Sequence, residues 1–272
     1  MSTGSLLRQA RFELIPMRGV VEESFSLPRG STVTITASPR KGIDATLELS
    51  ELLAYRGFRA VPHLAARQIQ SRDHLRGIVD RLAAAGLEEV FVVGGDVTAP
   101  AGRYDSAGTL LADMAQMDNR PKRIGIAAYP EGHPLIKTGV LMQALQEKQT
   151  YADYMVTQIC FDSAIIGKWL TAVREAGIHL PVYLGIPGVL DRKKLLEISL
   201  RVGVGDSTRF LTNHVGMIAR LLRSPIYSPD PLVAGASSLL HLTGIKGFHI
   251  YTFNQCQATE SWRQRAAGRS HS

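Results

Sequence analysis

The sequence predicts a single-domain (β/α)8 barrel, the TIM-barrel fold, over residues 1–272. Three observations predict it: eight short apolar runs, helical periodicity between most of them, and a length that suits one barrel. The runs are RFELIP from Arg11, TVTITAS from Thr32, AVPHL from Ala60, VFVVGGD from Val90, IGIAAYP from Ile124, MVTQICFD from Met155, VYLGIPG from Val182 and FHIYTFN from Phe248. Apolar runs without polar alternation mark strands covered on both faces, and strands separated by helices imply parallel βαβ units.

The helices follow in order. Between the second and third strands, Ile43, Leu47, Leu52 and Leu53 form an apolar stripe that stops at Gly57, a left-handed cap. Ser71 caps a helix whose Leu75, Ile78, Val79 and Leu82 keep the i, i+3, i+4, i+7 spacing until Gly86. Ser106 opens another, with Leu110, Met114 and Met117 inward, and Ile166, Trp169, Leu170 and Val173 stripe the helix after the sixth strand. The stretch from Asp191 to Thr243 is too long for one helix and breaks at Val204-Gly205-Asp206 and Ser224-Pro225. An extra helix is therefore expected between strands 7 and 8. Residues 1–9 and the basic segment 264–272 are expected to be flexible tails.

Composition narrows the class. With 45% hydrophobic and 20% charged residues the chain can bury a sizeable core. Its apolar stretches fall short of the roughly 20 residues needed to cross a bilayer, and MSTGSLLRQARFELIP lacks a signal core, so the expectation is a cytoplasmic protein without a membrane partner. Cys160 and Cys256 form neither a CxxC pair nor a metal-ligand spacing and read as reduced thiols. The net charge of +7 is scattered and accompanies no finger, helix-turn-helix or RNP-like motif. It reads as a basic surface rather than a nucleic-acid interface, and it leaves open that part of the charge steers an anionic small ligand to the mouth.

In a (β/α)8 barrel the active site forms at the carboxyl ends of the strands. The residues closing the runs, including Glu13, Thr36, His63, Asp96, Tyr129, Gln158 and Tyr251, are therefore the first candidates. Four of them, and His133 in the same loops, have a plain structural alternative. Glu13 could pair with Arg11 or Arg18, Asp96 suits the Gly-Gly-Asp-Val turn, Gln158 could be an ordinary loop contact, His63 a satisfied barrel histidine and His133 a helix-entry residue.

Seven segments carry a resemblance: FELIPMR at 12–18, PHLAAR at 62–67, GGD at 94–96, AAYPEGHP at 127–134, TQICFD at 157–162, GIPG at 185–188 and FHIYTFNQ at 248–255. In this order and at strand ends they resemble the motifs of the methylenetetrahydrofolate reductase family. The resemblance implies the same barrel and a role in one-carbon metabolism and methionine biosynthesis. The implied reaction reduces the folate 5,10-methylenetetrahydrofolate to 5-methyltetrahydrofolate, with NADH or NADPH as hydride source, usually through bound FAD. It implies that Glu13 is the proton donor and that Asp96 stabilises the cationic iminium beside the substrate. Gln158 would read the pterin edge, and Tyr251 would line the substrate. Thr36, His63, Tyr129 and His133 would surround the cofactor, with Tyr151, Ala152 and Asp153 at a nearby small-residue turn.

Three departures bear on the cofactor. Gly94 and Gln255 stand where the family commonly has arginine, and Gln149 and Thr150 stand about where a cofactor-binding aspartate is expected. VGGDVTAPAG and RVGVGDS fit neither a GxGxxG turn nor a phosphate loop ending in GK[ST]. The expectation is little or no bound FAD, with hydride passing directly from the nicotinamide to the folate. The other readings are a barrel acting on a one-carbon group of another reduced pterin and a folate-binding protein without catalysis. Oligomeric state is not legible.

Overall fold

Parallel hydrogen bonding joins eight strands into a closed barrel in the computed structural model, which describes residues 2–133, 135–191, 226–242 and 244–269. The barrel strands are β1 (Arg11–Leu14), β2 (Thr32–Ile35), β3 (Arg59–Ala65), β4 (Glu89–Val93), β5 (Arg123–Ala128), β6 (Tyr154–Thr157), β7 (Val182–Pro187) and β10 (Ile245–Tyr251). They neighbour one another in sequence order, and β10 closes the ring on β1 with Arg11 opposite His249 and Glu13 opposite Tyr251. All eight apolar runs are strands. Outside the ring, β8 (Leu190–Asp191) and β9 (Ile226–Tyr227) form a short antiparallel pair.

Strand alternation produces two separate apolar cores. Phe12, Leu14, Val33, Ile35, Val90, Val92, Ile124, Ile126, Phe248 and Ile250 face outward into the layer beneath the helices. Val61, Phe91, Tyr154 and Val156 face inward and fill the barrel. Two glycines make room inside. A Cβ on Gly125 would lie 2.3 Å from the Tyr154 ring, and one on Gly185 would lie 2.1 Å from the Thr157 carbonyl oxygen.

The helices are α1 (Thr3–Arg8), α2 (Val20–Ser24), α3 (Gly42–Tyr55), α4 (Arg72–Ala84), α5 (Ala107–Met114), α6 (Thr138–Lys148), α7 (Ser163–Glu175), α8 (Asp230–Ala236) and α9 (Cys256–Arg269). The expected stops and caps are present. Gly57 and Gly86 adopt positive φ, Ser71 Oγ accepts from the His74 N–H, and Ser106 forms a capping box with Thr109. Met117 lies three residues past α5 and packs half-buried against the core. Helix α6 carries no strong apolar stripe, and Leu145 is its one fully buried side chain.

The terminal segments differ from the expected flexible tails. Residues 3–8 and 256–269 are helices that pack on each other, with Leu6, Leu7, Trp262, Ala266 and Ala267 buried. Just before residue 264, one pair of charges of the carboxyl-terminal helix is satisfied inside, while Arg265 is exposed. Arg263 donates to both Glu260 carboxylate oxygens, at 2.7 and 2.8 Å, and to the Leu7 carbonyl at 3.0 Å. Helix α8 lies between β7 and β10, while residues 192–225, including both predicted breaks, at 204–206 and 224–225, and so the expected extra helix, lie outside the described residues. Among the described residues no helix is long and apolar enough to cross a membrane. Both cysteines are free and buried.

Candidate active site

Glu13 sits inside the barrel on the inward face of β1, where the strand period brings β3 and β10 side chains against it. Its Oε2 lies 3.1 Å from His249 Nε2 and 3.8 Å from His63 Nε2, and its side chain is 13% exposed. Removal from water raises the Glu13 carboxyl to about 7, against a smaller opposing pull from His63. Burial is the main cause that lowers His63 to about 4 and His249 to about 3; at His63 Glu13 pulls upward while His249 and then Arg11 add to the lowering, and at His249 Arg11 adds the smaller part. Glu13 is thus the group of this cluster that changes protonation nearest neutrality, and its Oε2 lies in hydrogen-bond contact with His249 Nε2. Glu13 pairs with neither Arg11 nor Arg18 among its hydrogen bonds and ion pairs; Arg11 is bound instead to Glu89 at 2.7 Å and to the Tyr154 hydroxyl at 2.9 Å.

The strand that carries Glu13 is pinned at the barrel seam. Its carbonyl accepts from Thr252 Oγ1 at 2.6 Å, and the Asn254 side chain accepts from the Ile15 N–H at 2.8 Å and donates to the Ile15 carbonyl at 2.9 Å. Phe253 and Asn254 both have positive φ, at 49° and 62°, so the turn after β10 adopts an uncommon backbone to place that amide. Tyr251 donates to the Thr157 carbonyl at 3.0 Å and meets the His249 ring edge-on at 4.9 Å. Burial, with Glu13 and Tyr129 nearby, raises its hydroxyl well above the ordinary tyrosine value, so it is neutral.

A second group lines the mouth. Asp96 is exposed in the loop after β4, within electrostatic reach of Tyr129 and His133, whose rings meet edge-on at 5.3 Å. Burial raises Tyr129 and lowers His133, and Asp96 pushes both upward. The loop is held by Arg67, which donates to the carbonyls of Val97 at 2.8 Å, Thr98 at 2.5 Å and Asp105 at 3.2 Å. Gly95, at φ +95°, passes so close to Ala65 that an added Cβ would lie 3.0 Å from the Ala65 Cβ. Gln158 is half-buried beyond β6, its Oε1 accepting from the Ile159 N–H at 2.9 Å. Thr36 is half-buried past β2, where its carbonyl accepts from Thr46 Oγ1 at 3.0 Å.

Two placements depart from expectation. His63 lies below the mouth, against Glu13 and the Phe91 ring, where it joins the acid cluster expected for Glu13 alone. Residues 149–153 lie at the amino end of β6, on the face opposite the mouth. Gln149 ends α6, and Asp153 accepts from the Ile124 N–H at 2.7 Å at the start of β5. Gln149, Thr150 and the Tyr151-Ala152-Asp153 turn thus have no bearing on a ligand at the mouth. The other two departures stand: Gly94 offers no side chain, and Gln255 donates to Asp191 at 3.1 Å. Among the described residues these positions do not supply the fixed cations that the resemblance associates with FAD. His249, Thr252, Asn254 and Arg67 were not among the candidates, although period-two alternation puts His249 on the same face as Tyr251.

A polar constellation around a buried acid toward the carboxyl ends of the strands lies where (β/α)8-barrel enzymes build their active sites. The methylenetetrahydrofolate reductase family profile matches residues 20–205, and the chain belongs to this family of oxidoreductases. The 5,10-methylenetetrahydrofolate reductase of Pectobacterium carotovorum is 26% identical over 216 residues, covering 74% of this chain and 67% of the relative. Those of Salmonella typhimurium and Escherichia coli are 26% identical over 214 residues, covering 74% of this chain and 68% of each relative. Two solved structures of tryptophan synthase from M. tuberculosis superpose with TM-scores of 0.50 and 0.51 at 13% identity, covering 99% and 98% of this chain and 100% and 96% of theirs; they share the fold. The family match begins at residue 20, so Glu13 and the β10 residues rest on geometry.

Proposed function

We propose that the protein reduces 5,10-methylenetetrahydrofolate to 5-methyltetrahydrofolate, with a reduced nicotinamide dinucleotide as hydride source. The observation that carries this reading is the Glu13 cluster: a buried carboxyl, raised by burial to about 7, with His249 Nε2 at 3.1 Å and His63 Nε2 at 3.8 Å. The reaction needs such an acid. Glu13 gives its proton to the N10 nitrogen of the substrate, the bond from N10 to the bridging methylene breaks, and the methylene remains on N5 as a cationic iminium. A hydride from the nicotinamide converts that carbon to the methyl group, the nicotinamide leaves oxidised, and Glu13 regains its proton from solvent.

The other residues divide the remaining work. The Asp96 carboxylate, held by the Arg67-pinned loop, balances the iminium charge. Gln158 contacts the pterin edge, presenting both ends of its amide once Oε1 releases the Ile159 N–H. Tyr251 lines the substrate above His249, and Tyr129 and His133, with Thr36, form the wall for the nicotinamide. Because Gly94 and Gln255 do not fit a resident FAD, the hydride passes directly between the two substrates, and NADH or NADPH as a transient co-substrate asks less of the site than a permanently held cofactor. A binding protein without catalysis would gain nothing from burying an acid at this energetic cost, which favours the enzyme reading. Oxidation of NADH dependent on methylenetetrahydrofolate, by protein lacking flavin absorbance, is the expected result. Activity that appears only after FAD is added would overturn the direct transfer.

A further inference from the structure

The loops after β5 and β6 are neighbours at the mouth, and a side-chain contact that the proposed chemistry does not use joins them. Glu131 lies midway between Tyr129 and His133 in the first loop, and Cys160 lies two residues past Gln158 in the second. The Cys160 thiol donates to Glu131 Oε1 at 3.0 Å, and the Phe161 N–H donates to the same oxygen at 3.5 Å. One carboxylate oxygen thus spans the two loops. Each side is tied down next to this bridge. In the first loop the Gly132 N–H donates to the Tyr129 carbonyl at 3.1 Å, with Gly132 at φ +82°, and His133 Nδ1 accepts from the Leu135 N–H at 3.2 Å. In the second the Gln158 N–H donates to the Ala128 carbonyl at 2.7 Å and the Cys160 N–H to the Gly185 carbonyl at 3.3 Å, and Asp162 caps α7 by accepting from the Ala164 N–H at 2.8 Å.

We infer that Glu131 is a positioning residue for hydride transfer: by holding the Cys160 thiol and the Phe161 N–H, it fixes the loop of Tyr129 and His133 against the loop of Gln158, and so the nicotinamide against the folate. The inference rests on the reading of these loops as the nicotinamide wall and the pterin contact. The Cα register between β5 and β6 ends at Ala128 and Thr157, and Tyr129 and Gln158 are the next residues on each side. Past that point the relative place of the two loops depends on contacts such as this bridge. A thiol is a weak donor, but Cys160 is fully buried and has no water to turn to, and its other acceptor, the Asp162 carbonyl, lies farther away at 3.4 Å. Burial, with Glu131 beside it, holds the thiol well above the ordinary cysteine value, so it serves as a donor rather than a nucleophile. Hydride transfer is sensitive to such a contact, because the reacting atoms must stand about 3–3.5 Å apart and a misplacement of about 1 Å costs on the order of 100-fold in rate.

Single-turnover kinetics separate placement from binding. In Glu131→Ala, hydride transfer at saturating 5,10-methylenetetrahydrofolate slows by about tenfold or more, while the dissociation constant of each substrate taken alone changes by less than about threefold. Glu131 is exposed, so the melting temperature holds. Cys160→Ala slows transfer from the other end of the bridge, Cys160→Ser, which keeps a donor, restores it, and the double variant is no slower than the slower single one. Should Cys160→Ala fail to fold, Glu131→Gln decides beside Glu131→Ala: the amide keeps an acceptor oxygen and loses less. Transfer in Glu131→Ala within about twofold of wild type, a loss confined to substrate binding, or losses that multiply in the double variant would overturn the inference alone. A wild type that oxidises neither NADH nor NADPH with the folate would overturn the reading of the two loops, and the inference with it.

Discussion

At the residue scale the proposed chemistry turns on the carboxyl of Glu13, raised by burial to about 7. With Glu13 as the proposed acid, kcat/KM falls as pH rises through about 7, and a pH–rate profile under subsaturating folate checks it. Linkage gives an independent test. The folded state holds a proton that the unfolded chain releases near the ordinary carboxylate value, so raising the pH from about 4.5 to about 7 costs stability, up to roughly 1.4 kcal/mol per unit. Glu13→Gln escapes that cost. Denaturant titrations at several pH values should find the variant gaining on wild type across this window; a constant difference would mean that Glu13 ionises normally in the fold. For Asp96→Asn, slower reduction and weaker folate binding with an unchanged melting temperature are expected. If only the melting temperature moves, Asp96 is a turn residue. Sequence reasoning reached Glu13, Asp96 and Tyr129 because each closes a strand. It did not reach His249, whose place beside Glu13 depends on which strand closes the barrel, nor Arg67, whose three carbonyl partners lie about 30 or more residues away.

At the element scale the strands were legible because burial on both faces leaves a continuous apolar run, and α3, α4, α5 and α7 because one apolar stripe faces the barrel. The helix pair α1 and α9 was not, since Glu260 and Arg263 look solvent-seeking until each is seen to satisfy the other in the interior. Helix α6 was missed for the opposite reason, its weak stripe burying only Leu145 fully. Gln149 and Thr150 were read in the turn leading into the sixth strand, and that turn lies at the amino end of β6, away from the mouth. The seam between β1 and β10 is the element on which Glu13 depends. Asn254→Ala removes two hydrogen bonds to Ile15 and leaves its backbone groups unpaired, so a loss of about 1–3 kcal/mol in denaturant unfolding is expected. A loss below a few tenths would mean that the turn holds without the amide. Gly185→Ala puts a Cβ against a backbone carbonyl that cannot swing away. It should cost more than a surface Gly→Ala change, about 1–3 kcal/mol or beyond, in the same assay.

At the scale of the whole molecule the barrel gathers an acid cluster inside and the rings of Tyr129 and His133 at the rim. The chain belongs to the methylenetetrahydrofolate reductase family, and the proposed reduction starts with a proton from that cluster and ends with a hydride. The most direct measurement follows NADH oxidation by the purified protein with 5,10-methylenetetrahydrofolate, comparing wild type with Glu13→Gln after the absorbance spectrum has been recorded. Turnover by the wild type without a flavin band is expected. Turnover reduced by at least about 100-fold in Glu13→Gln, with folate binding retained, is expected as well, since general acid catalysis contributes about that much or more. Wild-type rates in Glu13→Gln would contradict the proposed acid role.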